Sequence, residues 1–175
     1  MSQYEKILNY IFKAFPMYHR VGSSAYKEGL ESIETLATIT NNPENKFPII
    51  HIAGTNGKGS VAHLLASYCQ ELGLKTGLFT SPHLIDFRER IKINGKEISE
   101  ENVIHFFEHY DAELKQIQPS FFELTTILAF DYFAKQKVDV SSFDIIFCSS
   151  YYYFPLYAAH LLAKEFNIPL AIDLR

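Results

Sequence analysis

The run His51–Val61, H-I-A-G-T-N-G-K-G-S-V, passes from apolar, strand-like residues into glycines set around one lysine. Upstream, Phe47–Ala53 is an apolar run of strand length entered through Pro48. Downstream, Ser60–Leu72 carries Ala62, Leu65, Ala66 and Cys69 at the spacing of one helical face, with Gly73 as a stop signal. Lys75–Thr80 reads as the next strand. Strand, glycine loop, helix and strand within about 30 residues make a βαβ unit, which implies parallel strands and a right-handed crossover. A loop between a strand's end and a helix's first turn is where free backbone N–H groups and the helix dipole favour an anion. Gly54, Gly57 and Gly59 permit close backbone approach to oxygens, and Lys58 adds a cation suited to β- and γ-phosphates. Thr55 and Ser60 add hydroxyls for phosphate or Mg²⁺. The spacing departs from G-x-x-x-x-G-K-[ST], because Ile52 stands five before Gly57 and Gly59 separates Lys58 from Ser60. A glycine-rich turn with a surface lysine is the plain alternative.

Outward from this unit the order stays α/β. The N-terminus predicts a short amphipathic helix with Tyr4, Ile7, Leu8, Ile11 and Phe12 on one face, and lacks the pattern of a secretory leader. Tyr26–Thr40 has helical spacing at Leu30, Ile33, Leu36 and Ala37, ended by the polar run T-N-N-P-E-N-K. Arg90–Ile98 alternates polar and apolar residues around Asn94-Gly95, a strong hairpin signal. Ser99 opens a helix to about Gln116, and a second runs from Phe121 to about Lys135. Phe143–Ser149 is a strand candidate, Leu156–Glu165 a helix and Ile168–Leu174 a strand. Phe143–Ala163 is apolar enough to be weighed as a membrane span, but Asp144, Pro155 and His160 argue against one.

The whole chain has 175 residues, 47% hydrophobic and 21% charged, with a formal net charge of −4, so nothing points to nucleic acid. Cys69 and Cys148 form no metal-ligand pattern and read as buried thiols of a cytoplasmic protein. His51 reads as a satisfied structural histidine, and His105 with His109 as a wet helix face. Asp86, Arg88, Glu89 and Arg90 read as a solvated charge cluster, with substrate contact as the alternative. His83 would either orient substrate or cap its turn.

Several stretches then carry a resemblance. G-T-N-G-K-G-S at Gly54–Ser60 is followed by T-S-P-H-L at Thr80–Leu84. F-P-M-Y-H-R-V-G-S-S-A-Y-K-E-G-L lies upstream of both, and F-R-E-R-I-K-I-N-G-K-E-I-S and S-F-F-E-L-T-T-I-L-A-F-D-Y-F lie downstream. In this order they resemble the folylpolyglutamate synthase/dihydrofolate synthase family, Mur-ligase-like ATP-dependent amide ligases, over residues of about 10 to 140. The resemblance implies a P-loop-containing, mostly parallel sheet with flanking helices, like a truncated Mur-ligase central domain, plus the hairpin near Arg90–Ile98. It implies ATP and Mg²⁺ as cofactors, and a pterin or folate carboxylate activated as an acyl phosphate and captured by glutamate. Carried over by motif, Asn56, Gly57, Lys58, Gly59 and Ser60 would hold ATP, Lys58 as the catalytic cation, and Ser81 would ligate Mg²⁺. Phe121, Phe122 and Glu123, with His83, would contact the pterin substrate; a flat heterocycle stacks on aromatics while a carboxylate accepts its N–H groups. Plain helix core is the alternative for Phe121 and Phe122.

The pattern changes after V-D-V at 138–140. Asp144 falls where the family carries a Mg²⁺-binding glutamate, and Phe147, Cys148, Ser149 and Ser150 replace the family's glycines. Residues 143–175 resemble the early part of group-4 GT-B glycosyltransferases. Residues 1–140 are therefore expected to be the ATP-binding portion, and residues 141–175 a divergent Rossmann-like tail, a fusion or a completion of the same sheet. With the rest of a ligase expected to be missing, little or no ligation is expected from this polypeptide. A non-catalytic ATP-binding remnant, or a fragment of a glycosyltransferase fusion, is the alternative.

Overall fold

The computed structural model describes residues 1–15, 29–136 and 146–150, the last as backbone. In chain order the elements are α1 (Gln3–Ala14), α2 (Glu31–Ile39), β1 (Ile49–Ala53), α3 (Lys58–Glu71), β2 (Gly77–Phe79), β3 (Ile91–Ile93), β4 (Lys96–Glu97), α4 (Glu100–Ile117), α5 (Phe121–Lys135) and β5 (Ile146–Ser150). Two compact units divide them: one holds residues 1–46 and 97–136, the other residues 47–96 and 146–150.

The first unit is helical, and its helices start where capping chemistry dictates. Ser2 Oγ accepts from Glu5 N at 3.1 Å while Glu5 Oε2 accepts from Ser2 N at 2.6 Å, a reciprocal cap on α1. Tyr4 and Ile11 are buried and Ile7, Leu8 and Phe12 half-buried, as their spacing predicts. Helix α4 buries Val103, Phe106, Phe107, Tyr110 and Leu114 and kinks at Tyr110 (φ −110°, ψ 16°). Helix α5 is nearly apolar all round and buries Phe121, Leu124, Ile127, Leu128, Ala129 and Phe133, so it forms the centre of this unit. Its Asp131 is 5% exposed and pairs with Lys135 Nζ at 2.8 Å. Leu30 departs from expectation. It is the residue capping α2, outside the helical period, and is 65% exposed, while Leu36 reaches the core at 1%. Residues 26–28 of the predicted helix lie outside the described residues.

The second unit is a five-stranded sheet in the order β1-β5-β2-β3-β4. Strands β1 and β2 are both parallel to β5, with Ala53 in register with Ser150 and Phe79 with Cys148. Strand β3 turns antiparallel onto β2, pairing Phe79 with Ile91. The hairpin turn holds Asn94 at φ 48° and Gly95 at φ 74°, the positive pair that an Asn-Gly turn of this kind requires. Asn94 also ties the turn down: its Oδ1 accepts from Thr76 N at 2.7 Å. Helix α3 lays Ala62, Ala66 and Cys69 against Leu78, with Ile50, Ile52, Leu65 and Leu74 around them. Small side chains on that face let the helix approach the sheet closely. The helix begins at Lys58 rather than Ser60, because Gly57 takes a left-handed conformation (φ 76°) as its N-terminal cap.

Among the described residues no helix is long and apolar enough to cross a membrane. The expected helix at 156–165 and strand at 168–174 lie outside the described residues.

Candidate functional site

Strand β1 ends at Ala53, and residues 53–57 are exposed. The first turn of α3 has no side chain capping it, so its backbone N–H groups keep their capacity for an outside acceptor. Among the described residues, a Cβ added at Gly57 or Gly59 would meet nothing within 4 Å, so they leave the space over this turn open to a ligand. Lys58 Nζ curls back to donate to the carbonyls of Gly54 and Thr55, the latter at 2.9 Å. Asn56, Gly57, Lys58, Gly59 and Ser60 thus form one continuous loop and first turn, with amide donors and one ammonium. An acceptor-rich anion such as a phosphate chain fits that donor set.

The second predicted turn lies at the same edge of the sheet. Strands β1 and β2 both run parallel to β5, so the segments that follow Ala53 and Phe79 leave from the carboxyl ends of their strands. Ligands of open α/β sheets bind at that edge. Ser81 and His83 follow β2, with the Ser81–Pro82 peptide cis. Arg90 stands against them because β3 is antiparallel to β2: Thr80 N donates to Arg90 O at 2.9 Å, one step beyond the Phe79–Ile91 pair. The Arg90 side chain donates through Nη1 to Ser81 Oγ and through Nε to His83 Nδ1, each at 2.6 Å.

The solvated-cluster expectation is therefore wrong for Arg90, which is 3% exposed. Burial pulls its guanidinium down to about 10, so it remains a cation at neutral pH. Burial also lowers the His83 imidazole, helped by the Arg90 charge and opposed by Glu89 and Asp86. Glu89 collects the backbone N–H groups of Leu84 (2.7 Å), Ile85 (2.9 Å) and Asp86 (2.8 Å). Those hydrogen bonds hold its carboxyl down at about 2. Asp86 binds Arg88 through both carboxylate oxygens, at 3.1 and 2.8 Å. The cluster is thus mostly internal bracing. The available sequence signal was position: Arg90 immediately precedes the apolar alternation of β3, in the segment that pairs back onto T-S-P-H-L.

The remaining candidates separate. Phe121, 6% exposed, stacks on Phe12 with ring centroids 6.0 Å apart, so the helix-core reading holds for this residue. Phe122 is 38% exposed. Glu123 is half-buried and accepts from Ser120 N at 2.7 Å. These three belong to the helical unit, and the nucleotide-loop and T-S-P-H-L residues to the sheet unit. Asp144 lies outside the described residues; strand β5 begins at Ile146, and its carboxyl end, in register with Ala53, is Ser150. His51 corrects a further expectation: its Nε2 is buried with no hydrogen-bond partner among the described residues, and burial lowers its basicity. His105 and His109 are exposed and stack in parallel at 6.0 Å. Among the described residues no group of three or more His, Cys, Asp or Glu side chains is placed to hold a metal ion.

A glycine loop at the carboxyl edge of parallel strands, followed by an antiparallel hairpin, defines an α/β class of domain. Comparison with known proteins makes that class specific. The chain is 42% identical over 125 residues to the bifunctional dihydrofolate synthase/folylpolyglutamate synthase of Bacillus subtilis, a match covering 67% of this chain and 29% of that protein. The solved folylpolyglutamate synthase of Thermotoga maritima superposes with a TM-score of 0.71 at 36% identity, over 83% of this chain and 32% of that one. The Mycobacterium tuberculosis folylpolyglutamate synthase complexed with ADP superposes with a TM-score of 0.67 at 28% identity, over 84% of this chain and 32% of that one. No protein-family model matches. The homologues and structural neighbours of this chain are thus folylpolyglutamate synthases, bifunctional ones included, and its fold is their Mur-ligase-like fold. The chain spans less than a third of the length of the curated relatives it matches. These relatives lend no support to the glycosyltransferase resemblance of residues 143–175.

Proposed function

We propose that this chain carries the nucleotide-binding part of an ATP-dependent amide ligase that joins glutamate to a pteroate or folate carboxylate. The observation that carries the reading is the first turn of α3, with no side-chain cap, nothing among the described residues over Gly57 and Gly59, and Lys58 beside them. Phosphoryl transfer to a carboxylate needs positioning and charge neutralisation above all, and these groups supply both. In this reading Asn56–Ser60 hold the polyphosphate and Lys58 moves from the Gly54 and Thr55 carbonyls onto its oxygens. Phe122 and Glu123 face the pterin, with Phe121 as their packed support. Residues 1–140 supply the ATP-binding residues, and the divergent segment 141–175 completes their sheet through β5.

Mg²⁺, when bound, neutralises phosphate charge; Ser81 and Asp144 are the residues assigned to it. Ser81 fits only in company with an anion, because its Oγ is 2.6 Å from the Arg90 guanidinium. A divalent ion about 5 Å from that charge is repelled by several kcal/mol even at an effective dielectric of about 20. Ser81 would therefore hold the ion only with phosphate oxygens beside it.

Purified chain supplied with ATP, glutamate and dihydropteroate decides between ligation and binding alone. ADP release that requires all three and falls at least tenfold in Lys58→Ala establishes the ligase. Protection by Mg-ATP against thermal unfolding, without ADP release, establishes a nucleotide-binding module.

A further inference from the structure

His105 and His109 take no part in nucleotide or pterin binding, and their placement has a chemistry of its own. The stretch H-F-F-E-H at residues 105–109 has the spacing H-x-x-E-H, with which zinc enzymes set two imidazoles one helical turn apart. That turn is formed here. Both histidines lie within α4, both are exposed, and their rings stand 6.0 Å apart and 9° from parallel. Residues four apart share one face of a helix, so both imidazoles project to the same side. Phe106 and Phe107 between them are 1% and 4% exposed and anchor the turn in the core from its other side. The His109 ring rests edge-on against Tyr110, with centroids 4.6 Å apart. Tyr110 is where α4 kinks, so the pair occupies the last regular turn before the break.

The charges around the pair suit a cation. Exposed Glu101 stands four residues before His105, and half-buried Glu113 four residues after His109. Lys135 borders the same shallow cleft as His105, but Asp131 holds it at 2.8 Å. The motif's own carboxylate is engaged elsewhere: Glu108 Oε1 accepts from Gln3 Nε2 at 2.5 Å. Among the described residues no group of three or more His, Cys, Asp or Glu is placed around one ion. The arrangement therefore offers two nitrogens, with water for the other positions, which suits holding an ion rather than hydrolysis.

We propose that His105 and His109 chelate a divalent cation of the nickel, copper or zinc kind, which clamps the turn of α4 that precedes its kink. Imidazole suits these ions, whereas Mg²⁺ prefers oxygen ligands. Bringing both rings onto one ion, at about 2.0–2.1 Å from each nitrogen, takes side-chain rotation, which exposed residues make readily. The site lies in the helical unit and is independent of the nucleotide reading.

Calorimetric titration of the full chain with Ni²⁺ alone tests the site, beside His105→Asn, His109→Asn and, as a control on exposed α3, His63→Asn. The first two variants are expected to bind Ni²⁺ at least tenfold more weakly than wild type, and His63→Asn to bind as wild type does. Excess Mg²⁺ should leave the wild-type affinity unchanged. Saturating Ni²⁺ should raise the melting temperature of wild type and not that of the first two variants. Affinity unchanged in either of those variants overturns the proposal, as does an equal loss in His63→Asn, competition by Mg²⁺, or a wild-type melting temperature that Ni²⁺ does not move. Should His109→Asn fail to fold for want of its contact with Tyr110, His105→Asn decides alone.

Discussion

Ser120 and Glu123 hold each other across the first turn of α5: Ser120 Oγ accepts from Glu123 N at 3.2 Å, and Glu123 Oε2 accepts from Ser120 N at 2.7 Å. The carboxylate assigned to pterin recognition therefore already has structural work as half of a capping box. Ser120→Ala should lower stability by about 1 kcal/mol in urea denaturation. Glu123→Gln keeps an acceptor for the cap but loses the charge. Its unfolding midpoint should stay near wild type while affinity for a pteroate ligand falls. Ligand affinity unchanged in this variant would leave Glu123 as a cap alone.

The neighbouring aromatics should divide in the same way. Phe121 is 6% exposed and stacked on Phe12, and its replacement by alanine should cost about 3–5 kcal/mol as a core deletion. Phe122 is 38% exposed, and Phe122→Ala should cost about 1 kcal/mol or less. Equilibrium unfolding of the two variants, beside titration of each with pteroate, separates packing from a ligand wall.

The glycines of the loop should respond with opposite signs. Gly57 sits at φ 76°, so Gly57→Ala forces a left-handed L-residue and should cost about 1 kcal/mol, although a Cβ there meets nothing within 4 Å. Gly59 lies inside the first turn of α3, where Gly59→Ala should stabilise by about 0.5 kcal/mol through helix propensity. The same methyl intrudes on the space left for a phosphate, so ADP affinity measured calorimetrically should drop in the more stable variant.

Glu89 gives a pH signature. Its folded carboxyl, held at about 2 by backbone N–H groups of Asp86, Leu84 and Ile85, lies below its ordinary value of 4.5. A depressed folded value contributes stability that is present above the unfolded value and is lost as pH falls from about 4.5 towards 2. Glu89→Gln should therefore melt below wild type at pH 7, and the gap should narrow steadily between about pH 5 and pH 3. A gap that stays constant on acidification would show that the carboxylate's charge is not what holds the turn.

Legibility followed the range of the interactions. Helix α5 lies where the sequence placed it, Phe121 to Lys135, since Ser120 and Glu123 supply a local start signal. The hairpin centred on Asn94-Gly95 was equally readable, because positive φ at both turn residues is a property of those residue types. The α3 boundary was missed by two residues, as Gly57 serves as a left-handed cap that an apolar-face count starting at Ser60 does not register. Leu30 was misjudged because a capping residue keeps the rhythm of a face without lying on it.

The glycine loop and its flanking strand and helix were determined by His51–Val61 alone, since steric freedom, helix polarity and hydrophobic period all act within a few residues. The burial of Arg90 and its hold on Ser81 and His83 were decided only when β3 folded antiparallel onto β2, bringing residues seven and nine positions apart into hydrogen-bond contact. The same holds for His51, whose Nε2 is buried with no partner among the described residues once its strand packs in the sheet. Charge runs and lone histidines look alike in sequence; the sheet register determines which of them is desolvated, and desolvation fixes what each side chain is able to donate, accept or bind.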